Sequence, residues 1–458
     1  MTKFVPLQAV AARTCPERIV AFADGRPISH GEFRRQVAAW RDAFAARPEP
    51  CWALYFNDAL AFAAALFGAW HADKYVYLCS DNLPATLQGM RERVDGYVGD
   101  MPEEFLTLTP PRANENDPPE WTALDPERIG LAVYTSGSTG DPIALDKRLR
   151  QLAEEVKALE SRFASSCEAT CAEQATVVHG TVSHQHIYGL LFRVLWPLAA
   201  ARPFASRLFF YEDLAQALGQ CDSVLISSPA HLKRLPIQAD WSAARSRLRA
   251  VFSSGGALDD QAAAHASAAL GVDAIEIYGS SETGGIASRQ RSADAPAWRA
   301  LPGVDWRIAD GRLEVRSPFL PDAQWFLGAD RVESDGADGF RLLGRDDRIV
   351  KFEERRVSLT ALDAAIAAND AVEDARVLVL TGARTELAAV VVPSAEGWRR
   401  LESEGRLRFT QTLKSSLATS HEATLHPQRW RYVPVLPVNP QGKVTHNALR
   451  DLFEPTAS

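Results

Sequence analysis

Apolar residues recur three and four apart at Leu149, Leu152, Val156, Leu159 and Phe163, which predicts a helix laying one face on a core. The same reasoning predicts an amphipathic helix over 30–44, and 58–69 is apolar-rich. Short continuous apolar runs carry the other signature, so 19–22, 75–78, 129–134, 176–178, 224–226, 250–252 and 274–278 are predicted strands, with a turn at Asp24-Gly25. Several of these strands end in small polar residues: Ser227-Ser228-Pro229, Ser253-Ser254-Gly255-Gly256 and Gly279-Ser280-Ser281. Ligands of parallel α/β sheets bind outside the carboxyl ends of the strands, so these loops are expected to share one crevice.

A proline-bearing connector covers 109–119, and beyond Gly303 the pattern turns β-rich, with strands predicted at 312–315 and 339–343. A boundary is expected at 344–347. The fold class is therefore α/β: a large multilayer N-terminal domain over 1–344, with parallel sheets and a β-rich part, then a small α+β C-terminal domain over 345–458.

Composition narrows the function classes. A chain of 458 residues with 46% hydrophobic and 24% charged residues is an ordinary globular protein of more than one domain. Net charge −8 argues against nucleic acid as a partner. No signal-like start and no apolar run of about 18 residues is found, so a cytoplasmic protein without stable membrane insertion is expected. Six scattered cysteines form no CxxC pair, and Cys167 and Cys171 read as thiols rather than metal ligands.

The chemistry begins at Tyr134-Thr135-Ser136-Gly137-Ser138-Thr139-Gly140. Glycines allow close backbone approach and the hydroxyls add donors, so the loop suits a phosphate, although composition alone also fits a flexible turn. It is not the common P-loop, which ends Gly-Lys-Ser/Thr, because Gly140 is followed by Asp141-Pro142. Pro142 delays any helix beyond it.

A second motif is Tyr278-Gly279-Ser280-Ser281-Glu282-Thr283. The tyrosine offers a stacking face and Glu282 a hard oxygen ligand; a capped helix start is the alternative. A third is Gly344-Arg345-Asp346-Asp347-Arg348, and a fourth is Pro437 to Lys443 with Gly442 before the lysine.

Together these motifs resemble the adenylate-forming (AMP-binding) superfamily of acyl/aryl-CoA synthetases, nonribosomal-peptide adenylation domains and luciferases, over nearly the whole chain. The resemblance implies ATP and Mg²⁺ as cofactors. Thr135, Ser136, Gly137, Ser138, Thr139 and Gly140 would wrap the phosphates. Ser254, Gly255, Gly256, Tyr278 and Gly279 would receive adenine, Ser281 the α-phosphate, and Asp330 and Arg345 the ribose and phosphate region. Glu282 would be the metal ligand, Lys443 the catalytic lysine, and Asp347 the hinge, within 345–347, of a mobile small domain. His186, with Tyr188 and Gly189, would gate the acid, and Ser227, Ser228, Gly284 and Gly285 would line its pocket.

Departures from the family pattern stand at Ile143, where lysine is usual, at Glu354 for glycine, at His446 for arginine, and at Ala329 within the usual Thr-Gly-Asp. Lys147 would reach the phosphates in place of Ile143 only after a bend.

The implied reaction converts a small carboxylic acid to an acyl-adenylate and passes it to a phosphopantetheine thiol. Length and the 184–189 segment look most like ligases of aryl polyene and xanthomonadin-type pigment synthesis, which points to an aryl or unsaturated acid and an acyl carrier protein as partner. Coenzyme A is the alternative acceptor, and a catalytically silent ATP- or acid-binding homologue is the non-enzyme alternative.

Overall fold

The computed structural model describes the chain except residues 1–3, 111–120, 137–141, 172–174, 292–295, 337, 346–347, 353–354, 382–384, 419–420, 422, 439–443 and 455–458. It divides into two compact units. One comprises Met1–Trp306, Val315–Phe326 and Asp335–Gly339; the other comprises Arg307–Glu314, Leu327–Ser334 and Phe340–Ser458.

The first unit is built on two sheets. A six-stranded sheet runs Thr107–Leu108, Gly96–Gly99, Cys51–Tyr55, Tyr75–Leu78, Ile129–Ser136 and Pro142–Arg148; neighbours are parallel except for the last pair. The second sheet has a parallel core in the order Ile275–Ser280, Leu248–Ser253, Ser223–Ser227, Val177–Gly180, Phe204–Ala205 and Ile19–Ala23. The α/β class with parallel sheets is as expected from the apolar runs.

The helix His30–Ala45 starts at a capping box, in which the Ser29 hydroxyl accepts from the Glu32 amide and the Glu32 carboxylate accepts from the Ser29 amide. Its apolar face, Phe33, Val37, Trp40 and Phe44, is buried, as an amphipathic helix requires. The helix Leu149–Phe163 buries all five of its predicted apolar positions.

One local expectation is corrected and one alternative reading is excluded. Residues 142–148 form a strand pairing antiparallel with Ile129–Ser136, not a delay before a helix; Pro142 opens that strand, where its missing N–H interrupts little of the ladder. The motif at 278–283 does not start a helix. Ser281 to Thr283 turn between the antiparallel strands Ile275–Ser280 and Gly284–Gln290, because the buried run 284–288 continues as a strand.

The second unit holds the antiparallel partners Leu327–Ser334 and Phe340–Arg345, the hairpin Ile349–Phe352 with Arg355–Ser358, and a three-stranded sheet of Val372–Thr381, Thr385–Pro393 and Arg429–Tyr432. Leu362, Ile366, Val377, Val391, Phe409 and Leu413 fill its core. Among the described residues, no helix is long and apolar enough to cross a membrane.

Candidate active site at the strand ends

The parallel strands Val177–Gly180, Ser223–Ser227, Leu248–Ser253 and Ile275–Ser280 are consecutive in one sheet, so their carboxyl ends lie along one edge. That edge gathers Thr181 to His186, Ser227 and Ser228, Ser254 to Gly256, and Tyr278 to Glu282. It is where an α/β sheet receives ligands.

Several hydroxyls there are already committed. Ser227 Oγ lies 2.9 Å from Thr181 Oγ1, Ser254 Oγ donates to the Ile277 carbonyl at 2.8 Å, and Ser228 Oγ meets His231 Nδ1 at 2.9 Å. These bonds hold the loops to the sheet and leave the glycines as the open surface. Gly255 has φ +91°, which favours glycine, and a β-carbon there would meet nothing within 4 Å. At Gly256 the nearest atom would be Pro229 Cγ at 3.9 Å. A flat base could lie against this backbone.

Glu282 is exposed at the tip of its hairpin. Beneath it Ser280 and Thr283 fasten the turn: the Ser280 amide donates to Thr283 Oγ1 at 3.2 Å, and the Thr283 amide to Ser280 Oγ at 3.3 Å. Gly279 is required at the base, since a β-carbon would fall 2.3 Å from the Gly284 carbonyl oxygen. Among the described residues, no three His, Cys, Asp or Glu side chains gather into a metal cage. A lone exposed carboxylate nevertheless fits Mg²⁺, which is commonly held by one or two carboxylates together with substrate phosphates.

Two buried ions support that turn. Lys147, on the strand Pro142–Arg148, donates from Nζ to the Glu282 carbonyl at 3.0 Å. Glu155, on the helix Leu149–Phe163, accepts from the Gly285 amide at 2.7 Å. Burial holds the Lys147 ammonium below its usual range, with the Glu155 and Glu282 charges opposing that shift, and burial lifts the Glu155 carboxyl. Gly284 and Gly285 therefore pack on Glu155: β-carbons there would fall 2.6 and 3.2 Å from its carboxylate oxygens.

The motifs did not reveal Glu155, yet a signal was present. It sits between Leu152 and Leu159 inside the apolar stripe of its helix, where a carboxylate is out of pattern.

His186 immediately precedes the helix that begins at Ile187 and is half-buried; Tyr188 packs on Phe192 at 4.8 Å, and burial pushes its hydroxyl well above its usual range. Gly189 serves packing, as a β-carbon would lie 2.0 Å from the Ser183 carbonyl oxygen.

The segment before the helix is held by a residue that the motifs passed over. Arg193 is fully buried and donates to the carbonyls of Val182 at 2.9 Å and Arg207 at 3.1 Å, with His184 Nδ1 at 3.4 Å. Burial pushes its guanidinium down to about 10. His184, buried beside it, is kept well below its ordinary value by desolvation first and by Arg193 second. Gln185 Nε2 donates to the Phe56 carbonyl at 3.0 Å.

In the second unit Asp330 and Arg345 stand directly opposite each other on antiparallel strands, though fifteen positions apart in sequence. Thr135 and Ser136 are opposed to Ile143 and Pro142 in the other sheet. Gly137, Ser138, Thr139, Gly140, Asp347 and Lys443 lie outside the described residues.

Two largely parallel sheets, a strand-end edge of Gly and Ser loops and an acidic hairpin tip fit the adenylate-forming class of enzyme. Comparison agrees: the profile of the AMP-binding enzyme family matches residues 84–318, just over half of the chain. A 4-coumarate–CoA ligase of Rhodobacter capsulatus is 30% identical over 317 residues, covering 68% of this chain and 74% of that one. A probable 2-succinylbenzoate–CoA ligase of Mycobacterium tuberculosis is 28% identical, covering 70% and 84%. Pyochelin synthetase PchE of Pseudomonas aeruginosa is 26% identical over 72% of this chain, which spans only 26% of that protein.

Among solved structures, ATP-bound MatB from Rhodopseudomonas palustris superposes with a TM-score of 0.78 at 18% identity, covering 98% of this chain and 99% of that one. A benzoate CoA ligase from Burkholderia xenovorans gives 0.73 at 16% identity, covering 98% and 100%. The chain belongs to the AMP-binding enzyme family, and by class it is an acid–thiol ligase.

Proposed function

We propose that the enzyme activates a small aryl or unsaturated carboxylic acid with ATP, releasing pyrophosphate, and passes the acyl group from AMP to the phosphopantetheine thiol of an acyl carrier protein. The observation carrying this reading is the gathering of 181–186, 227–228, 254–256 and 278–282 at one edge of parallel strands. In it, the exposed backbone of Gly255 and Gly256 receives adenine beside Tyr278, and the Ser281 hydroxyl meets the α-phosphate. His186, Tyr188, Gly189, Ser227 and Ser228 border the acid.

Glu282 would hold a Mg²⁺ ion, whose charge would neutralise that of the phosphates. Asp330 and Arg345, placed opposite each other, bind ribose and phosphate oxygens. Lys443 bridges the attacking carboxylate and the nucleotide, where negative charge crowds in the transition state. Residues 345–458 act as the moving lid about Asp347.

The carrier acceptor is supported by charge: from 345 onward, 16 Lys and Arg face 15 Asp and Glu, a net of +1 against −8 for the whole chain. Coenzyme A is the second reading, favoured by relatives named as CoA ligases over most of their length.

Acid-dependent exchange of pyrophosphate into ATP, over benzoic, cinnamic and fatty acids, tests the first step. Exchange should appear with aryl or unsaturated acids and collapse in Lys443→Ala; no exchange with any acid would point to a silent binder. Supplying carrier protein and coenzyme A separately then decides the acceptor.

A further inference from the structure

We infer that Lys147 and Glu155 are positioning residues that fasten the 281–283 turn, one at the Glu282 carbonyl and the other at the Gly285 amide just beyond it, and so hold Glu282 where its carboxylate meets the magnesium of the bound nucleotide. This rests on the reading that Glu282 carries the metal. Lys147 is 3% exposed and Glu155 4% exposed, and neither belongs to the surface of the crevice.

Replacing two buried ions by apolar side chains of like size often costs a fold nothing, so stability alone is a weak reason for their presence. Their bonds suggest a better one. The ammonium takes the carbonyl of residue 282, and the carboxylate takes the amide of residue 285. The backbone from 282 to 285 can then neither slide nor flip without costing a buried ion its main-chain hydrogen bond.

The clip also joins three separate elements. Lys147 lies one residue before the end of the strand that pairs with Ile129–Ser136, so that strand and the turn bearing the metal ligand are tied through one side chain. Gly284, at φ +70°, brings the backbone against Glu155 so closely that any larger residue would push the carboxylate out. At Ile143 the loop lacks the family's usual lysine.

The test uses the full chain with Lys147→Met, Lys147→Arg, Glu155→Gln and Glu282→Gln. Hydrogen–deuterium exchange over 278–286, without nucleotide, should quicken in Lys147→Met. Its apparent Mg²⁺ requirement in pyrophosphate exchange should rise about tenfold, as for other residues supporting a metal ligand. Acid KM at saturating Mg²⁺ should stay near wild type, Lys147→Arg should recover part of the loss, and Glu155→Gln should shift both readouts the same way by less.

The inference is overturned if Lys147→Met matches wild type in both readouts while Glu282→Gln raises the Mg²⁺ requirement. If Glu282→Gln leaves that requirement unchanged, the metal reading itself fails. Should Lys147→Met not fold, Glu155→Gln, which keeps size and an acceptor oxygen, carries the same comparison.

Discussion

Gly180 and Arg193 occupy one space: a β-carbon on Gly180 would fall 2.3 Å from Arg193 Nε and 2.4 Å from its Cδ. The arginine cannot swing away cheaply, because it is buried and its donors hold the carbonyls of Val182 and Arg207. Gly180→Ala should therefore destabilise the protein by about 2 kcal/mol through overpacking. It should also loosen the 182–186 segment, raising acid KM more than ATP KM. Denaturant midpoints and steady-state kinetics check this; an unchanged midpoint would show that Arg193 is free to move.

Two buried histidines, His30 and His179, and the half-buried His71 make the fold sensitive to acid. Burial pushes His30, His71 and His179 down to about 4, from an ordinary value of 6.5. A folded-state value below the unfolded one means that their stabilising contribution is complete above about pH 6.5 and is lost as pH falls through about 4. Each then withdraws up to about 3 kcal/mol. His179 packs edge-on against Phe209, with ring centroids 5.1 Å apart, and neither ring nitrogen has a hydrogen-bond partner among the described residues. His179→Leu should lower the pH midpoint of acid unfolding and leave stability at pH 7.5 equal or higher; an unmoved acid midpoint would refute the assignment.

Much of this was legible in the sequence. The stripe from Leu149 to Phe163 placed its helix, and the small-residue ends at Ser227, Ser253 and Gly279 marked the crevice edge, because hydrophobic period and turn chemistry are local signals. Lys147, Glu155 and Arg193 were not legible as partners. Each pays its desolvation by bonding main-chain groups, of Glu282, Gly285 and Val182, which are invisible in a side-chain pattern and, for the first two, more than a hundred residues away. The strand at 142–148 was missed for a related reason: its partner, not its own pattern, makes it a strand.

Gly255 and Gly256 separate two demands that a glycine pair merges. Gly255 adopts φ +91°, so Gly255→Ala carries backbone strain of about 1 kcal/mol before any ligand arrives. Gly256 has room for a methyl, with its nearest atom 3.9 Å away. Gly256→Ala should keep the thermal midpoint of wild type yet raise ATP KM about tenfold, the loss of roughly 1.4 kcal/mol of base contact. Unchanged ATP KM would move adenine elsewhere.

Arg348, directly after the proposed hinge, is bound into the second unit by Asp363. Its Nη2 donates to Asp363 Oδ2 at 2.7 Å and to the Val377 carbonyl at 3.1 Å, while Asp363 Oδ1 accepts from the Val377 amide at 2.6 Å. Burial nonetheless raises the Asp363 carboxyl to about 6, with Arg348 and the Val377 amide opposing that rise. A raised folded-state value means that Asp363 favours the fold below its unfolded value near 4 and loses that contribution as pH rises through about 6. Arg348→Met strands the carboxylate, so it should cost about 3 kcal/mol at pH 7.5. The loss should shrink as pH falls below 6, because a protonated carboxyl needs no cation. Urea unfolding of both proteins at pH 5 and pH 7.5 measures the difference, and a loss independent of pH would show that Arg348 acts through packing rather than through the Asp363 charge.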